Sequence, residues 1–223
     1  MRMTANARSK DWYISRGRTD ICNLYRLTKG EEEVARLFRA STATGSNFAS
    51  EVYPGYPGLV IAEGRTRQMT WGFPLVLNGK QGQPLKPKPV NNTRADKLST
   101  GLWRPSFQSR RCLIPVSAFA EAEGERGRMT RTWFMLPDQE VFAVAGIWRE
   151  SVEWGAVYSM VMTEACIHVA DVHDRMPVIL READWTDWLD GPPDAASLLC
   201  RPYPELMVVE RTAVPWVKRQ EKS

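Results

Sequence analysis

The sequence lacks most of the features that would place it in a specialised class. Among 223 residues there are only two histidines and four cysteines. Cys22, Cys112, Cys166 and Cys200 stand singly, with no Cys-x-x-Cys pair. That spacing suits neither a zinc knuckle nor a disulfide framework, so no metal is expected and a reducing setting follows, the bacterial cytoplasm or nucleoid. Apolar runs are short: the longest obvious one, Val141 to Trp148, has strand length and falls far below the roughly 18 residues that span a bilayer. Residues 1–21 are polar and charged, without the apolar segment of a secretory signal. Charge of one sign is also scarce. Thirty Lys plus Arg against 26 Asp plus Glu give +4 and a pI near 8.9, which permits nucleic-acid binding without demanding it. Internal repeats and convincing linkers are missing too, so the expected division is an N-terminal extension over 1–21 and one domain over 22–215.

What is present is ordinary core material, 43% hydrophobic and 25% charged, with nine tryptophans that suit either a core or base stacking. Strand patterns cover Cys22–Leu27, Leu59–Ala62, Gln68–Phe73, Cys112–Val116, Thr132–Leu136, Val141–Trp148, Ala156–Thr163 and Leu206–Thr212. Thr28 and Glu31 have capping-box spacing ahead of a helix whose apolar face is Val34, Leu37 and Phe38. Further helices are expected over Glu164–Val172, over Glu182–Leu189 and from Asp194. Loops rich in Gly, Pro and polar residues fill Thr42–Gly58 and Asn78–Pro89. Many short strands with few helices predict an α+β domain built on antiparallel sheet, closed into a barrel and flanked by helices.

Four segments carry residues suited to chemistry. They are Cys22-Asn23-Leu24-Tyr25; Asn92-Thr93-Arg94; Arg110-Arg111-Cys112-Leu113-Ile114-Pro115 leading to Phe119-Ala120-Glu121; and His173-Asp174-Arg175-Met176-Pro177. Singly, each has a plain structural explanation. Cys22 reads as a small packing residue, Asn92 as a turn cap and Glu121 as a solvated carboxylate before a charged loop. His173 reads as a helix C-terminal cation beside a structural ion-pair turn.

Together and in this order, from Cys22 to about Leu189, they resemble the SOS response-associated peptidase (SRAP) family, which shields abasic sites in single-stranded DNA. Trp71-Gly72-Phe73-Pro74 and Tyr53-Pro54-Gly55 are similar to further family segments. The resemblance implies that an N-terminal Cys22 presents a 1,2-aminothiol. Its amine and thiol both add to the open-chain aldehyde of an abasic site and close a thiazolidine ring. It implies general acid/base work for Glu121, sugar-ring opening for His173 and hydrogen-bond orientation for Asn92. Arg94, with Arg110, Arg111 and Arg175, would meet phosphates, and Trp71 would stack beside the lesion or serve the core. No cofactor is implied, and the partner is abasic single-stranded DNA bound by a monomer. Hydrolase and lyase activities accompany this picture, because the family is credited with removing its own leader. Here Ile21 and twenty further residues precede Cys22, and an amide nitrogen is not a nucleophile. Three routes stay open: a later translation start, cleavage of the extension, or loss of the covalent step. Two other classes also stay open, a cysteine hydrolase using Cys22 and His173, and a non-catalytic single-strand binder. Cys112, Cys166 and Cys200 are expected to be structural.

Overall fold

The structure is a computed structural model, and it describes residues 22–43 and 45–216. Its strands are β1 (Leu24–Arg26), β2 (Glu51–Val52), β3 (Pro57–Ala62), β4 (Arg65–Trp71), β5 (Phe73–Leu75), β6 (Lys88–Val90), β7 (Asn92–Arg94) and β8 (Arg111–Val116). They continue with β9 (Ala118–Glu123), β10 (Thr130–Met135), β11 (Phe142–Ser151), β12 (Gly155–Glu164), β13 (Arg175–Pro177), β14 (Ile179–Leu180) and β15 (Val208–Pro215). The helices are short: α1 (Glu31–Leu37), α2 (Arg104–Ser109), α3 (Trp185–Leu189) and α4 (Pro193–Leu198).

Five strands close on themselves in the order β12-β4-β3-β8-β11, with β11 pairing back to β12. All joints of this ring are antiparallel except β12–β4. Closure removes the unpaired edges that an open sheet of these apolar strands would expose. Beside the ring lies a second antiparallel sheet in the order β15-β10-β9-β1-β2. Alternation along the ring strands sends residues to two faces. Cys112, Ile114, Tyr158, Met160 and Met162 join one apolar cluster with Tyr25, Phe119 and Phe134 of the second sheet. Leu113, Val157 and Val161 join another with Val34, Phe107 and Trp188 of the helices. A hydrogen bond between the buried Tyr25 and Tyr158 hydroxyls, 2.5 Å long, ties the second sheet to the ring. It requires glycine at position 58, where a Cβ would sit 2.2 Å from both hydroxyl oxygens.

The α+β barrel architecture is as expected, with local differences. Thr28 does not cap α1; Gly30 does, and the Thr28 hydroxyl bonds Ser117 instead. Glu31 is tied to the Thr66 hydroxyl at 2.5 Å, so the capping-box carboxylate serves a tertiary contact. Residues 164–172 form no helix. The end of β12 runs to Glu164, and turns closed by Ala170 N–H to Cys166 O and His173 N–H to Val169 O follow. Pairing of Glu164 with Arg175, continued by the Ala165 N–H bond to Asp174 O, holds the start of that span extended. Strand β9 is an addition to the expected set, and it carries Glu121.

Candidate active site at the start of the first strand

β1 and β9 run antiparallel with Leu24 opposite Ala120, which carries Glu121 to the chain entering β1. The backbone N–H of Cys22 donates to both Glu121 carboxylate oxygens, at 3.0 and 3.2 Å. Both residues are completely buried. Burial pushes the Glu121 carboxyl well above its ordinary value; the Cys22 N–H only partly offsets this, and the nearby Asp174 charge adds to it. Burial likewise pushes the Cys22 thiol up, with the Glu121 charge second. That thiol lies 3.9 Å from the Met160 sulfur. Cys22 itself takes the left-handed conformation with φ of 37°.

The Cys22 carbonyl is held from the other side. β7 runs parallel to β12 with Asn92 beside Met160, and the Asn92 amide donates to the Cys22 oxygen at 3.1 Å. Asn91 donates to the same oxygen at 3.3 Å and to the Asn23 side chain at 2.9 Å. His173 is buried at the end of the turn leading into β13. Its Nδ1 accepts the Arg175 N–H at 3.0 Å and stands 3.1 Å from the Asp174 carboxylate.

The residues expected to meet DNA divide. Arg94 is half exposed and forks onto the Asp96 carboxylate with two bonds of 2.8 Å. Arg94, Arg175 and Arg201 line one open depression of about 510 Å³. Arg110 lies apart, its guanidinium on the Trp148 carbonyl at 3.3 Å. The expectation for Arg111 does not hold in the tertiary structure, and of the two readings of Trp71 the core one does. Trp71 has no exposed face: it is wholly buried between Tyr25 and Tyr158 and donates to the Asn91 carbonyl at 2.9 Å. Arg111 is 6% exposed, and its guanidinium caps the carbonyls of Phe107, Trp188, Leu189 and Gly191. A stacking platform and a phosphate clamp both need solvent access, so these side chains are core members. Cys112 and Cys166 are buried, and burial pushes the half-buried Cys200 thiol up to about 12.

The profile of the SOS response associated peptidase (SRAP) family matches residues 21–217 of this chain. The chain belongs to the SRAP family. It is 32% identical to the abasic site processing protein YoqW of Bacillus subtilis (strain 168) over 124 residues, 50% of this chain and 54% of YoqW. It is 28% identical to the abasic site processing protein YobE of the same organism over 153 residues, 62% of this chain and 66% of YobE. The chain thus spans about half the length of YoqW and somewhat under two thirds of YobE. Among solved structures, a Bordetella bronchiseptica protein superposes with a TM-score of 0.72 at 23% identity, covering 86% of this chain and 99% of its own. A Bacteroides thetaiotaomicron protein does so with a TM-score of 0.70 at 17% identity, covering 85% and 91%. At such identities the likeness concerns the fold.

In this SRAP chain the structure gathers Cys22, Asn92 and Glu121 from three separate stretches of sequence, and buries His173 in the turn ahead of β13. Asn91 lies within the polar stretch Val90–Asp96 that the sequence made conspicuous, but the sequence reading gave it no role of its own. Among the described residues, no group of three or more His, Cys, Asp or Glu is arranged to hold a metal ion. No helix among them is long and apolar enough to cross a membrane.

Proposed function

We propose that this SRAP chain processes abasic sites in single-stranded DNA by forming a covalent thiazolidine link through Cys22. The carrying observation is that a wholly buried carboxylate, Glu121, rests on the backbone nitrogen of Cys22. A cysteine hydrolase would need its imidazole and carboxylate directed at sulfur. Here the polar partners of Cys22 gather on its nitrogen and carbonyl, while its thiol packs on Met160. That favours amine chemistry.

Two stages follow. Water first cleaves the Ile21–Cys22 bond, leaving a carboxylate on Ile21 and an amine on Cys22. Glu121, whose burial favours the protonated acid, gives a proton to the departing nitrogen and regains one from the attacking water, whose other proton passes to solvent. The free amine then attacks the abasic aldehyde, and the hydroxyl of the resulting carbinolamine leaves as water with a proton from Glu121, which recovers that proton from the iminium nitrogen as the neutral imine forms. The thiol sulfur adds to the imine carbon while its proton passes to nitrogen, so ring closure releases one water overall. Asn92 orients the Cys22 main chain, His173 assists opening of the sugar, and Arg94 with Arg175 meets phosphates at the adjoining depression.

The test compares full-length protein, its intact N-terminus verified by mass, with a chain that begins at Cys22. Each is incubated with abasic single-stranded DNA and run on a denaturing gel. The trimmed chain should give a heat-stable adduct and the intact chain none. Equal crosslinking by both, without processing, would rule out the thiazolidine.

A further inference from the structure

We propose that Asn91 is a positioning residue for Cys22: its amide is the second donor on the Cys22 carbonyl, and its main chain anchors that clamp to the barrel. The inference rests on the reading above, in which Cys22 reacts through its nitrogen.

The left-handed backbone of Cys22, with φ of 37°, is unfavourable for any residue with a Cβ. Such a conformation persists only where its surroundings over-determine it. Three side chains do so. Glu121 holds the nitrogen, while Asn92 and Asn91 hold the carbonyl oxygen at 3.1 and 3.3 Å. Asn91 reaches further than its neighbour. Its NH₂ also bonds the Asn23 side chain at 2.9 Å, so one amide spans the nucleophile and the residue after it.

Such a clamp is only as rigid as its own mounting. The Asn91 carbonyl accepts three donors: Trp71 Nε1 at 2.9 Å, the Ser159 hydroxyl at 3.1 Å and the Met160 N–H at 2.9 Å. Trp71, Ser159 and Met160 are wholly buried. Met160 is also the residue whose sulfur touches the Cys22 thiol, at 3.9 Å. The carbonyl clamp and the wall behind the thiol are therefore fixed to one another through a single peptide. Burial of Trp71 gains a purpose in this arrangement: its indole holds Asn91. Attack on an aldehyde carbon requires nitrogen and sulfur in a fixed relative orientation, and small displacements slow it steeply.

The experiment uses the full chain with Asn91→Asp, which keeps the shape and removes the donors, and Asn91→Ala. Amide hydrogen exchange is read by NMR, on protein whose mass shows Ile21 still attached, at Cys22 and at Met160, whose N–H bonds the Asn91 main chain and survives both substitutions. Cys22, whose N–H stays on Glu121 while its carbonyl loses a donor, should exchange roughly 5–10-fold faster because its held conformation loosens, with Met160 unchanged. Adduct formation with abasic single-stranded DNA should slow by a similar factor at saturating DNA, with half-saturation unmoved, the rate normalised to the fraction whose mass places Cys22 first. Unchanged Cys22 exchange overturns the proposal, and so does an equal rise at Met160, which would mean general loosening. If wild-type protein forms no adduct, the thiazolidine reading falls while the exchange measurement still decides the clamp.

Discussion

Glu121 and Glu123 lie two residues apart on β9 and so share a face of that strand, yet their surroundings drive them in opposite directions. Glu121 is wholly buried, is bonded to a backbone N–H, and pairs with no cation among the described residues. Burial sends its carboxyl up. Glu123 lies nearer the end of the strand, where β15 has come alongside β10. Partial burial raises it, but the Thr132 hydroxyl at 2.5 Å and the Arg211 guanidinium at 3.0 Å more than offset this, and its pKa falls below the ordinary value. One strand thus holds a carboxyl suited to giving up a proton late and another that stays charged. The arginines repeat the contrast: Arg111 caps buried carbonyls, while Arg94 faces solvent. Depth in the fold, more than residue type, separates chemistry from surface electrostatics.

The largest expected effect breaks the glutamate pair apart. In a chain that begins at Cys22, Glu121→Ala should slow adduct formation by roughly 10²–10⁴-fold, the loss of a general acid/base. Glu123→Gln should leave the rate within about twofold. Quenched time courses on denaturing gels measure both, and equal defects would erase the distinction.

Within the arginines, Arg111→Met should cost about 3 kcal/mol of stability, because four carbonyls, two of them buried and two part-buried, lose their donor. Urea unfolding followed by tryptophan fluorescence checks this. Arg94→Gln should leave stability nearly unchanged. It should weaken single-strand binding by about tenfold and lower the salt slope by roughly 0.7, the signature of one lost phosphate contact. Fluorescence anisotropy at several salt concentrations reads that slope.

Stability against pH sharpens the glutamate comparison with opposite signs. Glu121 has a raised folded-state pKa, so its contribution is fully present below the ordinary value of 4.5 and is lost as pH rises through the folded value. Its slope reaches at most about 1.4 kcal/mol per pH unit, the one-proton limit, and Glu121→Gln should flatten it. Glu123 has a lowered pKa, so its contribution is present above 4.5 and fades as pH falls through the folded value. Because Glu123 and Arg211 are 31% and 56% exposed, that pair should be worth only about 0.2–1 kcal/mol. Thermal melts of wild type, Glu121→Gln and Glu123→Gln across acid to neutral pH compare the two slopes.

Continuous apolar runs made β8, β11 and β12 legible, because strands covered on both faces need apolar side chains on each. The ordered motifs drew attention to Cys22, Asn92, Glu121 and His173 as a set, because their spacing matched the family resemblance whatever surrounds them in the fold. Burial was not legible. Residues 118–123 read Ala-Phe-Ala-Glu-Ala-Glu, which looks like the frayed edge of a charged loop until β1 and β10 are laid on either side. For the same reason Trp71 was left open, Arg111 misjudged and Asn91 given no role. Their roles come from carbonyls and hydroxyls brought in from 20 to 80 positions away. A sequence determines which groups are available and which face of a strand they take. What lies opposite that face is decided by register and closure, and the chain acquires those only when its distant segments pack together.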